Sequence, residues 1–350
     1  MLTARKPRLL LCLLLLTLTM SDGATPCAAS GGQQRTELRV LSFNILQGGG
    51  DASNVGFSDQ DFGGSRYDEL AAVIHLVKAD VVAVQEDDGS GRLLASLGKG
   101  WKRQGSIYSR YDLVQLDKAP WLAVCRVQLT ESESVVIANC HWRPSDYGPF
   151  QVQERLQQEG APRDVGVFEQ QVLAFSDKTA GDRGYRQTLE AIQPWLDAEE
   201  NLVLCGDFNE PSHLDWTARA ASEGMDRWVR NPSGVPLRFP IRWTGSRRLA
   251  DAGLRDAYRT AYPDEVRHPG NTWTPSYPDG TPGRRAFGDQ VLDRIDMIYF
   301  SGPQLEVRKA AVVGESKETA ELVFDRRWPS DHRAVLAVFS LPEKKATSVR

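Results

Sequence analysis

Asn44, Glu86, His141, Asp207, Asn209, Asp296, Asp331 and His332 all stand where an apolar run of this chain stops or starts. Carboxylates, amides and imidazoles together can bind a hard cation, orient a water molecule and move its proton. Asn44, Glu86, His141 and Asp207 each follow a run apolar enough to be buried, whereas Asp296 lies near the beginning of RIDMIYF and Asp331-His332 precede AVLAVFSL. If the last two strands run antiparallel to the earlier ones, every one of these elements delivers polar groups to one sheet edge. Ligands bind at such edges in open α/β sheets. A single buried polar strand end is ordinarily a satisfied structural group, but a converging set points to a site. In GDFN, Asp207 and Asn209 are two apart and face one side of an extended chain. Gly206 lets the backbone approach a ligand. Alone, GDFN reads equally well as an Asx-type turn capping a following helix.

The elements that must position these groups follow from periodicity. LRVLSFNIL (Leu38–Leu46) alternates as a strand, and a Gly-rich irregular loop follows it. YDELAAVIHLVK (Tyr67–Lys78) predicts an amphipathic helix, and DVVAVQE (Asp80–Glu86) a fully buried strand. WLAVCRVQL and VVIANCHW, separated by TESES, predict a β-hairpin from Trp121 to Trp142. The long segment from Arg143 to Gly184 reads as a loop that turns helical only in FEQQVLAFSDK. Further helices are expected over YRQTLEAIQPWLD, SHLDWTARAAS and Leu254–Asp264, and strands over RIDMIYF, LEVRKAAVV and AVLAVFSL. No linker interrupts residues 37–342, which predicts one α/β domain.

The chain has 350 residues with 41% hydrophobic content, enough for a large core. Residues 1–29 read as a secretory signal and lead-in: Arg5, Lys6 and Arg8 precede the apolar run Leu9–Met20, with cleavage expected near Ala24 to Ala29. Cleavage would leave a mature chain without a membrane span and more acidic than the formal −4 of the whole. That balance lacks the positive field of a non-specific nucleic-acid binder. Cys125, Cys140 and Cys205 sit inside apolar runs and read as buried thiols, with a Cys125–Cys140 bridge as the alternative; Cys27 lies near the expected cleavage point.

SFNI around Asn44, VVAVQE to Glu86, ANCHW around His141, CGDFNEP, RIDMIYF and SDHRAVLAVF form an ordered set across nearly all of the mature chain. The set resembles the endonuclease/exonuclease/phosphatase superfamily, which includes deoxyribonuclease I, sphingomyelinases and inositol-polyphosphate phosphatases. The resemblance implies a four-layer α/β sandwich, two facing mixed β-sheets flanked by helices, with the site at one rim. It implies that Glu86 binds a divalent cation with Asn44 and Asp331 nearby. Oxygen ligands favour Mg²⁺, with Mn²⁺ or Ca²⁺ as alternatives. Asp296 would orient His332 as general base, Asp207 and Asn209 would position water and phosphate, and His141 would donate to a phosphoryl oxygen or to the leaving group. His213, just after GDFN, is a further candidate for substrate contact; the competing reading places it in the first turn of a helix.

The resemblance implies a metal-dependent phosphoester hydrolase acting on a phosphodiester such as a nucleic acid or nucleotide, and the N-terminal signal adds the expectation that it is exported. The alternatives are hydrolysis of small or lipid phosphoesters, and a non-catalytic module that holds a phosphorylated ligand. His141 argues against abasic-site repair enzymes, which bring a tyrosine to that region. A sphingomyelinase-type enzyme would expose an aromatic-tipped apolar hairpin, to which FGGSRY and SDYGPF come nearest. Trp243 and Trp273 are candidate stacking platforms, and the sequence indicates no obligatory protein partner.

Overall fold

The computed structural model describes residues 35–342 except 120, 146, 180–182, 228–235 and 274–291, all within the compact unit Gln34–Arg350. The expected secretory signal and Cys27 lie outside the described residues. β1 (Arg35–Asn44) leads through short 3-10 turns to α1 (Arg66–Leu76) and β2 (Val81–Gln85). α2 (Arg92–Leu97), β3 (Lys102–Gln104), β4 (Ile107–Ser109), β5 (Asp112–Ala119), β6 (Leu122–Gln128) and β7 (Ser134–His141) follow. Helices α3 (Gly148–Glu159), α4 (Val165–Thr179) and α5 (Tyr185–Asp197) precede β8 (Leu202–Asp207). Next come α6 (Ala218–Ser222), α7 (Thr244–Asp251), β9 (Arg255–Asp256) and α8 (Ala257–Ala261). β10 (Asp296–Ser301), β11 (Glu306–Gly314), β12 (Leu322–Val323) and β13 (Ala334–Pro342) complete the described chain.

The strands form two mixed sheets, β12-β11-β13-β1-β2-β4-β3 and β5-β6-β7-β8-β10-β9. Strand alternation explains why their sequences are apolar on both faces. Val40, Ala83, Ile137, Val203, Ile298 and Val335 point into the core between the sheets. Leu41, Val82 and Leu336 face the opposite way, onto the cluster that includes α1 and α2. On the other sheet, Val136, Leu202 and Leu204 turn outward onto α5 and α7. Helix, sheet, sheet and helix are therefore the four layers, as expected. Each buried Leu or Val contributes roughly 1.5–3 kcal/mol, so Leu202, Val203 and Leu204 outweigh the few kcal/mol that burial of a hydrogen-bonded Asp207 costs.

Several element boundaries differ from the sequence reading. The segment after His141 is helical from Gly148, because Val152 and Leu156 are buried one turn apart in α3. SHLDW is a turn, and its helix begins only at Ala218, where the Thr217 side chain accepts from the Ala220 backbone N–H. The expected helix over Leu254–Asp264 shrinks to α8 because Arg255 and Asp256 pair with β10. Cys125, Cys140 and Cys205 are buried free thiols.

The GDFN turn is tied to its surroundings by the next residue. Glu210 Oε1 accepts from the backbone N–H of Gly245 at 2.6 Å and of Ser246 at 3.3 Å, at the start of α7, and Oε2 accepts from Ser176 of α4 at 3.0 Å. Burial raises this carboxyl from 4.5 to about 7, against those hydrogen bonds. The fold thus binds a proton that the unfolded chain releases above the ordinary carboxylate range. Stability from Glu210 is full at low pH and falls as pH rises from about 4.5 to about 7, by roughly 3 kcal/mol. Glu210→Gln removes this titration. Thermal melts should show the variant gaining on wild type between pH 4.5 and pH 8; parallel curves across that range would refute the assignment.

Candidate active site

Asp207 occupies the middle of a row across three strands. Parallel pairing of β7 with β8 sets His141 opposite it, and antiparallel pairing of β10 sets Asp296 on its other side. Its Oδ1 accepts from the Asn209 backbone N–H at 3.0 Å. Its Oδ2 accepts from Asn44 Nδ2 at 2.9 Å and faces His141 Nε2 at 3.5 Å and His332 Nε2 at 3.8 Å. GDFN forms an Asx turn through Oδ1, but it caps no helix: the next helix begins at Ala218 and is capped by Thr217. Asn209 is not extended: its φ of 44° turns the chain, and its Nδ2 donates to Trp142 O at 3.1 Å. Burial raises the Asp207 carboxyl above the usual range, against the pull of His332.

His332 lies just ahead of β13, where the Ser330 hydroxyl donates to Asn44 O at 2.7 Å and brings the segment onto the end of β1. His332 Nδ1 is 2.9 Å from Asp296 Oδ2, an interaction that fixes the ring and turns Nε2 into the cleft. Asp296 is fully buried, with its backbone N–H donating to Thr272 Oγ1 at 3.0 Å. Burial would depress the His332 imidazole, but Asp296, Asp207 and Asp331 outweigh it and hold the group up at about 10. His141 is shifted the other way, lowered by burial against the pull of Asp207. Arg183 donates to His141 O from Nε at 3.1 Å and Nη2 at 2.8 Å, a tether that no local sequence pattern announced.

Glu86 has a φ of 59°, so the chain turns sharply after β2 and carries its carboxylate toward β1. Oε1 accepts from Asn44 Nδ2 at 3.2 Å and Oε2 from the Gln47 backbone N–H at 2.5 Å. Asn44 thus donates to Glu86 and Asp207 together, while its Oδ1 accepts from the Leu46 N–H at 3.0 Å. Glu86, Asp207 and Asp331 line one cleft with His141, Asn209 and His332. Several carboxylates against one charged imidazole leave an excess of negative charge, and the donors are oxygens without a thiolate. That donor set fits a hard divalent cation. Asp207, Asp296 and His332 also have ligand atoms within 4.8 Å of one another. Within that group His332 Nδ1 and Asp296 Oδ2 are already engaged with each other at 2.9 Å.

The cleft encloses about 270 Å³, and its other side is apolar: Pro144, Tyr147, Phe150, Trp273 and Ile295. Tyr147 and Phe150 belong to SDYGPF, a few residues beyond His141, which the sequence reading singled out as a possible membrane-facing hairpin and not as cleft lining; Pro144 and Ile295 were not anticipated. His213 does not line the cleft; its Nδ1 lies 3.0 Å from Ser246 Oγ. Trp243 is fully buried and packs edge-on against Trp216, with ring centroids 5.2 Å apart.

Residues 41–332 match the model of the Endonuclease/Exonuclease/phosphatase family. An uncharacterized protein of Caenorhabditis elegans is 25% identical over 348 residues, covering 95% of this chain and 98% of its own. The human Nocturnin catalytic domain with bound sulfate is 14% identical with a TM-score of 0.45, over 88% of this chain and 97% of that one. A mannosyl-6-phosphatase of Bacteroides thetaiotaomicron is 16% identical with a TM-score of 0.41, over 86% of this chain and 99% of that one. With the family model matched from β1 to the His332 segment, the chain belongs to the endonuclease/exonuclease/phosphatase family of phosphoester hydrolases.

Proposed function

We propose that this chain is an exported, divalent-cation-dependent hydrolase that cleaves phosphodiesters, with His332 as general base. The observation that carries the reading is the 2.9 Å Asp296–His332 pair, buried in one cleft with Glu86, His141, Asp207, Asn209 and Asp331. A module that only held a phosphorylated ligand would have no use for a histidine oriented by a buried carboxylate. Export is supported by the basic and apolar N-terminal sequence.

In the reaction, a water oxygen attacks phosphorus while His332 Nε2 takes its proton. The bond from phosphorus to the leaving oxygen breaks with its electron pair, and solvent supplies the proton that oxygen then needs. Asp207 accepts a hydrogen bond from the attacking water, and Asn209 holds a phosphoryl oxygen. His141 donates a hydrogen bond to a phosphoryl oxygen or to the leaving oxygen. Glu86 and Asp331 would hold a divalent cation, Mg²⁺ being the expected ion, which would supply positive charge to the phosphate and offset the carboxylates that keep His332 protonated.

Chelation with EDTA should abolish hydrolysis of bis-p-nitrophenyl phosphate, and Mg²⁺ or Mn²⁺ should restore it. Undiminished turnover in metal-stripped protein would refute the cation's role. His332→Ala should lower kcat by two orders of magnitude or more with little change in KM. Asp296→Asn, which keeps the imidazole but weakens its orientation, should cost less. Near wild-type turnover in a folded His332→Ala variant would remove His332 from the mechanism. For export, N-terminal sequencing of protein recovered from the medium or periplasm of a secretion-competent host should begin between Ala24 and Ala29; an intact Met1 in the cytoplasm would contradict it.

A further inference from the structure

We propose that the apolar side of the cleft is a subsite for a planar aromatic ring in the organic part of the substrate, a few bonds from the phosphate. This rests on the phosphoester reading above and narrows it from phosphodiesters at large to small ring-bearing phosphoesters. Tyr147, Phe150 and Trp273 form one continuous wall: Tyr147 meets Phe150 at 5.1 Å and 90° and Trp273 at 5.5 Å and 83°, and Phe150 lies 5.9 Å from Trp273. Trp273 is also 6.3 Å from the His332 ring, with the planes 35° apart. A ring stacked on Trp273 would therefore belong to a substrate whose phosphorus is within reach of His332 Nε2.

The wall is held rigid from behind. The Tyr147 hydroxyl donates to Asp293 Oδ2 at 2.6 Å, and Trp216 Nε1 donates to Oδ1 of the same fully buried carboxylate at 2.8 Å. With its hydroxyl so engaged, Tyr147 presents only its ring to the cleft. A Cβ on Gly148 would come within 2.4 Å of the buried Trp243 ring, so the segment between Tyr147 and Phe150 is pressed directly onto the core. Phe150 and Trp273 themselves are only partly buried. Rings fixed before binding stack on a ligand at little entropic cost.

The occupant follows from volume and charge. A space of about 270 Å³, shared with the polar side, has room for a phosphate and one ring. A formal charge of −4 provides no broad positive field for a nucleic-acid polymer, which weakens but does not exclude that substrate. The shared chemistry, a ring near a phosphate, could come from an aryl ester or from a nucleobase.

Isothermal titration calorimetry on the cation-supplemented protein tests this without turnover, so it fails independently of the hydrolysis assays. Benzylphosphonate should bind at least tenfold more tightly than ethylphosphonate, within the range for a base stacked on an aromatic side chain. Trp273→Ala and Phe150→Ala should reduce that preference severalfold and leave ethylphosphonate affinity unchanged. A gain of similar size for thymidine 5′-phosphate over ribose 5-phosphate would assign the ring to a nucleobase; its absence beside a benzyl preference would assign it to an aryl ester. Equal affinity of wild type for the benzyl and ethyl ligands overturns the proposal, whether or not the variants fold. So does a loss in the variants that falls equally on both ligands.

Discussion

The site depends on two sheets meeting at one rim. Asp296 belongs to the sheet that contains β8, whereas His332 leads into β13 of the other, so their 2.9 Å contact crosses the sandwich. Asn44 makes a second crossing, from the end of β1 to Asp207. A third lies beneath: Gln85 Nε2 donates to Ser42 Oγ at 3.1 Å on its own sheet and to Asn139 Oδ1 at 2.6 Å on the facing one. Asn139 in turn donates to Val84 O at 2.8 Å. These groups are buried, so each pairing offsets a desolvation cost that would otherwise oppose closure. Apolar burial brings the sheets together, and the polar layer fixes the position in which they stop.

That division explains what could be read in advance. The strand ends were legible because strands buried on both faces are apolar runs, and a polar residue that ends such a run stands out. Antiparallel placement of β10 and β13, and with it the convergence of Asp207, Asp296 and His332, followed from which end of each run was polar. The individual roles came from the family resemblance. Pairings across the sandwich had no local signature: nothing near Asn44 in the sequence shows that its amide will meet Glu86 and Asp207. The same holds for Arg66, whose buried guanidinium donates to Ile45 O at 2.5 Å and Gly50 O at 2.8 Å and so anchors the Gly-rich turns after β1. β5 was missed because it is an edge strand with little buried alternation.

The α3–α4 segment is where local reading failed and chemistry is most individual. Pro, Gly and charge at its start suggested an irregular excursion, yet Gly148 and Pro149 begin a helix whose apolar residues pack with Trp216 and Trp243. That packing leaves Tyr147 and Phe150 facing the cleft. The polar side of the cleft is built from strand ends and their adjoining turns; Tyr147 and Phe150 on the apolar side come from the start of α3, outside both sheets. On the proposed reading, reaction type rests on the strand ends and substrate choice on a helix start braced on buried tryptophans.

The central claim is that Asp296 acts through His332 and that the two work as one unit across the sheets. A double-mutant cycle on kcat with Asp296→Asn and His332→Ala measures this directly, with circular dichroism confirming that every variant is folded. If the carboxylate works only by orienting and sustaining the imidazole, the double variant should be no slower than His332→Ala alone. Additive losses, with Asp296→Asn slowing the His332→Ala background as much as it slows wild type, would contradict the account.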